Sequence, residues 1–72
     1  QSQIKIESPK AEKMVMQLYD LNGRLIQSWP EKELNAGTQT LRLDFNVQTT
    51  GLYLLQIIGE TQKETIRVRI EP

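Results

Sequence analysis

Carboxylates are the side chains with which this sequence could perform chemistry. The chain has nine Asp and Glu residues but no His and no Cys, so the commonest general base, the commonest metal ligand and the strongest nucleophile are missing. Paired carboxylates can act as acid and base, but the candidates fall in predicted turns or at outward strand positions: Asp20, Glu31, Glu33 and Asp44. We therefore expect no catalytic residues, no enzymatic activity and no cofactor.

The segment Asp20-Leu21-Asn22-Gly23 has some likeness to the start of a calcium-binding loop. An EF-hand loop needs oxygen ligands at about five positions and a closing Glu, and here Arg24 brings positive charge to the place of the cation. A β-hairpin turn suits these residues better, since Asp caps its own turn and Asn and Gly tolerate a positive φ. We expect a hairpin and no metal site.

Apolar and polar residues alternate through most of the chain, which is the period of a half-buried β-strand. The pattern predicts strands near residues 2–7, 13–20, 24–29, 31–34, 39–45, 52–58 and 64–70. Pro30 is expected to interrupt a longer strand, at a kink or an edge where the chain changes sheet. Residues 35–38 are expected to form a second hairpin turn, and residues 46–51 to cross between sheets. About seven short strands in one domain over residues 1–72 predict an all-β fold, an Ig-like antiparallel β-sandwich.

The same alternation predicts which side chains form the core. Trp29, beside Pro30, is expected to cover one end of it. The predicted inward residues are Ile4, Ile6, Met14, Met16, Leu18, Leu25, Leu41, Leu43, Phe45, Tyr53, Leu55, Ile57, Ile66, Val68 and Ile70.

The strand predicted over residues 52–58 is apolar on both faces. The residues opposite its inward set are Leu52, Leu54 and Ile58. Two interpretations stay open: exposed aliphatic residues of no special role, which are common, or a contact surface for a partner, a neighbouring domain or a second copy. Since strand edges also invite pairing, we expect a weak homodimer.

Charge and length exclude several classes of function. Nine Lys and Arg balance nine Asp and Glu, and no basic stripe is apparent, so we expect no binding of nucleic acid. No apolar run approaches the roughly 20 residues that cross a bilayer, so no transmembrane segment is predicted. A domain of 72 residues is near the lower size limit for folding alone and has little room for a large pocket. We expect it to be a piece of a longer precursor.

Several segments, in this order and spacing, resemble a known family. They are LYDLNGRLI at 18–26, GLYLLQI at 51–57, the closing strand at 65–70 and the opening IKIESP at 4–9. Together they resemble the C-terminal sorting domain of the type IX secretion system, in the version that ends gingipain-type proteases. The resemblance covers nearly the whole chain.

This resemblance implies a seven-stranded sandwich that serves as an export address. The translocon would recognise the folded domain in the periplasm and pass its cargo to the outer-membrane surface or the exterior. A sortase would remove the domain and join the cargo to an anionic lipopolysaccharide. The candidate recognition residues are Asp20, Asn22, Gly23, Arg24, Gly51, Tyr53, Arg67 and Arg69.

Two departures from the family pattern leave alternatives open. The chain ends Ile70-Glu71-Pro72 where many members have a lysine-rich tail, and the Pro-Asn-Pro element of many members is missing. The domain could therefore belong to a secretion-machinery component that keeps it uncut and binds lipopolysaccharide. Other candidates are a structural Ig-like spacer or assembly module of an extracellular protein, and a carbohydrate-binding module that uses Trp29 and Tyr19.

Overall fold

The computed structural model describes residues 2–71, so that Gln1 and Pro72 of the predicted domain lie outside the described residues. The described chain is all-β, as predicted, and forms two antiparallel sheets. One sheet pairs β1 with β4, and the other has the order β3-β2-β5-β6. The strands are β1 (Ser2–Ser8), β2 (Glu12–Tyr19), β3 (Leu25–Leu34), β4 (Gly37–Leu43), β5 (Gly51–Gly59) and β6 (Lys63–Ile70).

The six described strands are one fewer than the sequence predicts, because β3 continues through Pro30. β3 is an edge strand, where a missing N–H breaks no ladder. The register with β2 shifts between Met14 and Met16, so that Pro30 and Glu31 both lie opposite Val15. This two-against-one arrangement is a β-bulge. Pro30 marks an edge, as predicted, but the chain does not change sheet there.

The sheet change occurs instead at residues 35–36. β3 and β4 lie in different sheets, so the predicted hairpin turn over residues 35–38 is wrong. Gly37 opens β4 with a φ of +100°, a conformation that favours glycine. The connection over residues 44–50 crosses back to the four-stranded sheet, as predicted.

The core lies between the two sheets. Leu18 and Leu55, on neighbouring strands, are 0% exposed. The other buried apolar residues are Ile6, Met14, Met16, Leu34, Leu41, Leu43, Val47, Tyr53, Ile57 and Ile70, with Ile4, Trp29, Phe45, Ile66 and Val68 packed against them half-buried. Trp29 packs against the core, half-buried, and meets Phe45 edge to face with ring centroids 5.6 Å apart.

Leu25 is the one predicted core residue that lies outside, with 50% of its surface exposed. The β2–β3 register shifts a second time between Leu18 and Tyr19, which leaves Ile26 as an extra residue on β3. Because a slip of one residue reverses the face of every side chain beyond it, Leu25 pairs with Tyr19 on the solvent side.

We predict that Leu55→Ala lowers the free energy of unfolding by about 2–5 kcal/mol, because the smaller side chain leaves a cavity in the centre of the core. Leu25→Ala makes the same chemical change on the surface and should shift it by no more than about 0.5 kcal/mol. Urea unfolding of the two variants measures the difference. Equal losses would contradict the bulged register of β3.

Candidate recognition surface

The four-stranded sheet has one face against the core and one face, here called the outer face, that no other strand among residues 2–71 covers. Directly opposed residues of an antiparallel sheet share a face. Leu25, Tyr19, Leu54 and Arg67 therefore form one row across β3, β2, β5 and β6. The next row toward the hairpin pairs Leu52 with Arg69.

The outer-face patch consists of Tyr19, Leu25, Leu52 and Leu54. Leu52 is 40% exposed, while Tyr19 and Leu54 are half-buried by their neighbours. The Tyr19 hydroxyl donates to Gln17 Oε1 at 2.8 Å, so its phenol lies along the face. Three apolar side chains and an aromatic ring thus reach solvent together, which is typical of a contact surface.

The predicted partner residues of β5 all lie on the outer face, but unequally. Leu52 is exposed, whereas Leu54 and Ile58 are half-buried. Ile58 stands opposite Val15 and Lys63 at the far end of the sheet. β5 is apolar on both faces because it is a central strand, paired with β2 and β6.

Three cations lie along the outer side of β6: Lys63, Arg67 and Arg69, all exposed. The sequence predicts no basic stripe, but the strand period brings these residues to one side and forms a short basic row. Arg69 Nη2 lies 3.5 Å from Glu71 Oε1, and within residues 2–71 Arg67 makes no ion pair. Lys63 and Arg67 stand opposite Ile58 and Leu54, so the row flanks the apolar residues of β5 directly.

The β2–β3 hairpin contains four of the predicted recognition residues. Asp20 Oδ1 accepts the N–H groups of Asn22 and Arg24, each at 2.9 Å, and Asp20 Oδ2 lies 3.2 Å from Arg24 Nε. Gly23 has a φ of +84° and donates its N–H to Asp20 O at 3.1 Å. The predicted turn chemistry is confirmed, with the carboxylate engaged by the turn itself. Within the described chain no cluster of acidic side chains could hold a metal ion.

The hydrogen bonds of this turn hold the pKa of Asp20 below its ordinary value of 3.8. The N–H of Arg24 contributes most, and the Asn22 N–H and the Arg24 guanidinium add to it against the opposing effect of partial burial. The Asp20 carboxylate of the turn is therefore ionised at neutral pH.

The hairpin adjoins the outer-face patch. Gly23 lines a shallow depression together with Tyr19, Leu54, Gln56 and Thr65.

Gly51 and Tyr53 lie apart from that face. Tyr53 points inward, is 8% exposed and donates its hydroxyl to Thr49 O at 2.7 Å, which ties the crossing loop to β5. Gly51 has no positive φ, and a Cβ there would meet the Tyr53 ring at an ordinary 3.9 Å. Neither the backbone conformation nor the space around Gly51 therefore requires a glycine at this position.

Comparison with known proteins adds the family. The family model described as the secretion system C-terminal sorting domain matches residues 1–71. The chain belongs to this family. It is the sorting domain of type IX secretion that the sequence motifs resemble. No curated protein and no solved structure matches the chain.

A buried carboxylate that the sequence analysis missed fixes the other end of the sorting domain. Glu12, which is 5% exposed, accepts the N–H of Glu60 at 2.9 Å and the hydroxyl of Thr61 at 3.2 Å. In return, Glu60 Oε1 accepts the N–H of Lys13 at 3.1 Å. These reciprocal bonds, here called the Glu12 clamp, tie the start of β2 to the β5–β6 turn. Glu12 shares the inward parity of Met14, and this was the signal in the sequence.

Two smaller residues make room for the clamp. Ser8 is buried, donates its hydroxyl to Lys10 O at 2.6 Å and lies 3.4 Å from Glu12 Oε2. Gly59 faces the same carboxylate, and a Cβ at this position would clash with Glu12 Oε1. Burial raises the pKa of Glu12, but the hydrogen bonds from Thr61, Glu60 and Ser8 outweigh it and hold the pKa below its ordinary value of 4.5.

Within residues 2–71 no helix is long and apolar enough to cross a membrane.

We predict that Glu12→Gln melts at a lower temperature than the native domain at pH 7, because an amide nitrogen meets the donors of Glu60 and Thr61. A depressed pKa in the folded state gives stability that is present above the ordinary value of 4.5 and lost as pH falls through the lower folded value. The difference in melting temperature between the two proteins should therefore narrow as the pH falls from the ordinary pKa of 4.5 through the lower pKa of the folded state. Circular dichroism melts across this range measure it, and a gap independent of pH would refute the ionised clamp.

We also predict that the sorting domain forms a weak dimer at high concentration through the outer-face patch, since association would cover Leu52 and Leu54. Sedimentation velocity should show the dimer for the native domain and a monomer for Leu54→Lys. Thr40→Lys, on the outer side of the two-stranded sheet, adds the same charge and should leave the dimer intact. A native domain that stays monomeric would contradict this prediction.

Proposed function

We propose that the type IX translocon recognises this sorting domain on the outer face of its four-stranded sheet. The observation that carries the proposal is the juxtaposition of an uncovered apolar patch and a basic row on neighbouring strands, which lie in the part of the chain that the family model matches. The domain would be read in folded form in the periplasm and would direct its cargo to the outer-membrane surface or the exterior. The proposal assigns it no reaction and no cofactor.

The contrast between the two sheets supports this assignment. The outward side chains of the two-stranded sheet are polar and exposed: Gln3, Lys5 and Glu7 on β1, and Thr38, Thr40 and Arg42 on β4. Burying such a polar surface against a partner contributes little binding free energy, whereas burying the exposed apolar part of Leu52 is favourable. The guanidinium groups of Arg67 and Arg69 add directional donors that pair with carboxylate or phosphate.

The hairpin supports a second part of the recognition surface. Asp20 pairs with Arg24, and Asn22 and Gly23 form the turn that brings the exposed Leu21 and Leu25 to this end of the sheet. We assign a positioning role to the four turn residues Asp20, Asn22, Gly23 and Arg24. Gly51 and Tyr53 would act similarly from inside, and the Tyr53 bond to an upstream carbonyl has the form of the tyrosine corner of Ig-like sandwiches, to which we assign this fold.

Two further steps belong to the proposal. A sortase would cut the domain from its cargo, which would then be joined to anionic lipopolysaccharide. If the domain is instead retained on the surface, the basic row beside Leu52 and Leu54 would suit an anionic amphiphile, since it pairs cations with apolar contact.

The test is a periplasmic reporter fused to the N-terminus of residues 1–72 and expressed in a cell with a type IX system. We expect the reporter at the cell surface or in the medium. Arg67→Glu with Arg69→Glu should reduce export at least about tenfold, while each substitution shifts stability by only about 0.5 kcal/mol. Surface labelling and fractionation measure export, and melting curves measure stability.

Lys5→Glu with Arg42→Glu is the matched control, because it makes the same charge change on the outer side of the other sheet. Normal export is expected for it. If the unaltered fusion folds but stays in the periplasm, the domain is not an export address. If both double variants lose export equally, export depends on the net charge of the domain and not on recognition of the outer face.

A further inference from the structure

The two edges of the four-stranded sheet differ. β3, at one edge, has two bulges and Pro30, features that discourage another strand from pairing. β6, at the other edge, pairs with β5 through eight successive residues without a register shift. No other strand among residues 2–71 lies beside it. One edge of the sheet is therefore protected and the other is open.

The register identifies the free backbone groups of β6. Gly59 donates its N–H to Gln62 O at 2.8 Å across the turn, which makes these two residues a hydrogen-bonded pair. Bonded and non-bonded pairs then alternate along the ladder. Lys63, Thr65, Arg67 and Arg69 fall in the non-bonded pairs, so their N–H and C=O groups point away from β5 to the open edge.

The core is incomplete beside this edge. On β5, Leu55 and Tyr53 are buried, while their partners on β6, Ile66 and Val68, are only half-buried. Ile70, at the end of β6, is buried again. A strand added beside β6 would cover Ile66 and Val68 with apolar side chains of its own and would use the free backbone groups at the same time.

Charge determines which strand fits. If β6 paired antiparallel with a second β6 about Thr65, Ile66, Arg67 or Val68, the alternation would set a cation of the basic row opposite another cation. Like charges in directly opposed positions destabilise a ladder, so a second copy is disfavoured. A strand with acidic residues at these positions is favoured. The edges of the two-stranded sheet offer no such row, since β1 has both Lys5 and Glu7 and β4 has Arg42 alone.

We propose that β6 binds an extended protein segment as an added strand, with acidic side chains opposite Lys63, Arg67 and Arg69 and apolar side chains opposite Ile66 and Val68. The proposal deepens the proposed function. It rests on that function only for the location of the partner, which would belong to the secretion machinery. It names the partner's chemistry: alternating acidic and apolar residues over about the length of β6. The binding itself can be measured without export.

The test uses the 72-residue chain and an end-capped peptide of alternating Glu and Val, as long as the eight residues of β6. Titration followed by NMR should show saturable shifts centred on the β6 amides. A peptide of the same composition with all Glu before all Val should bind about tenfold more weakly, since it cannot present one acidic face. Vesicles of anionic lipid are the competing probe.

Two variants separate backbone pairing from charge. Thr65→Pro removes an N–H that points to the open edge and should weaken peptide binding about tenfold, while Thr65→Val keeps the N–H and should bind normally. Arg67→Glu with Arg69→Glu should lose the Glu–Val peptide and gain a Lys–Val peptide of the same length. Melting curves confirm that each variant is folded.

The proposal is overturned if the native domain does not bind the alternating peptide at millimolar concentration, if the block peptide binds equally well, or if Thr65→Pro has no effect. Binding to the anionic vesicles alone would also overturn it and favour an amphiphile. If the peptide does not bind but the reporter is exported normally and export depends on the arginines, strand addition is rejected and the proposed function stands. If the peptide binds but the reporter is not exported, the proposed function is rejected and strand addition stands.

Discussion

The fold depends on one constraint: the six strands of residues 2–71 divide into a sheet of four and a sheet of two, so the smaller sheet can cover only one face of the larger. Leu18 and Leu55 show where that cover is complete, because neither has any exposed surface. The central strand β5 is nevertheless apolar on both sides. Its second side, with Leu52 and Leu54, must face solvent or a partner, and the outer-face patch follows from this mismatch between four strands and two.

Much of the fold could be predicted from the alternation of apolar residues, and what escaped involves backbone irregularities. Strict alternation of inward and outward residues predicts that Leu25 is buried, but a β-bulge adds one residue and places its side chain on the solvent face. Leu34 and Val47 are buried although neither belongs to a long alternating run: Leu34 follows three charged residues and Val47 lies in a loop. Pro30 reads as a strand end because the identity of an edge strand depends on the pairing of distant segments.

The candidate site shows the same division between local and long-range information. Turn chemistry at Asp20, Asn22 and Gly23 is encoded within four residues, and the structure confirms it. The basic row and the outer-face patch join β3, β2, β5 and β6, and the register between these strands cannot be predicted from any one of them. Glu12 was missed for a related reason: an acid at an inward position is explained only by donors 48 and 49 residues away.

The Glu12 clamp also bears on how β6 presents its cations. The clamp holds the β5–β6 turn at Glu60 and Thr61, two residues before β6 begins at Lys63, and the buried Ile70 holds the other end of the strand. Between these fixed points Ile66 and Val68 are only half-buried. An added strand needs an edge that is straight and already ordered, because ordering it at the moment of binding would cost conformational entropy. A strand fixed at both ends and open in the middle meets that requirement, and the buried carboxylate at its start then contributes to binding through the order it imposes.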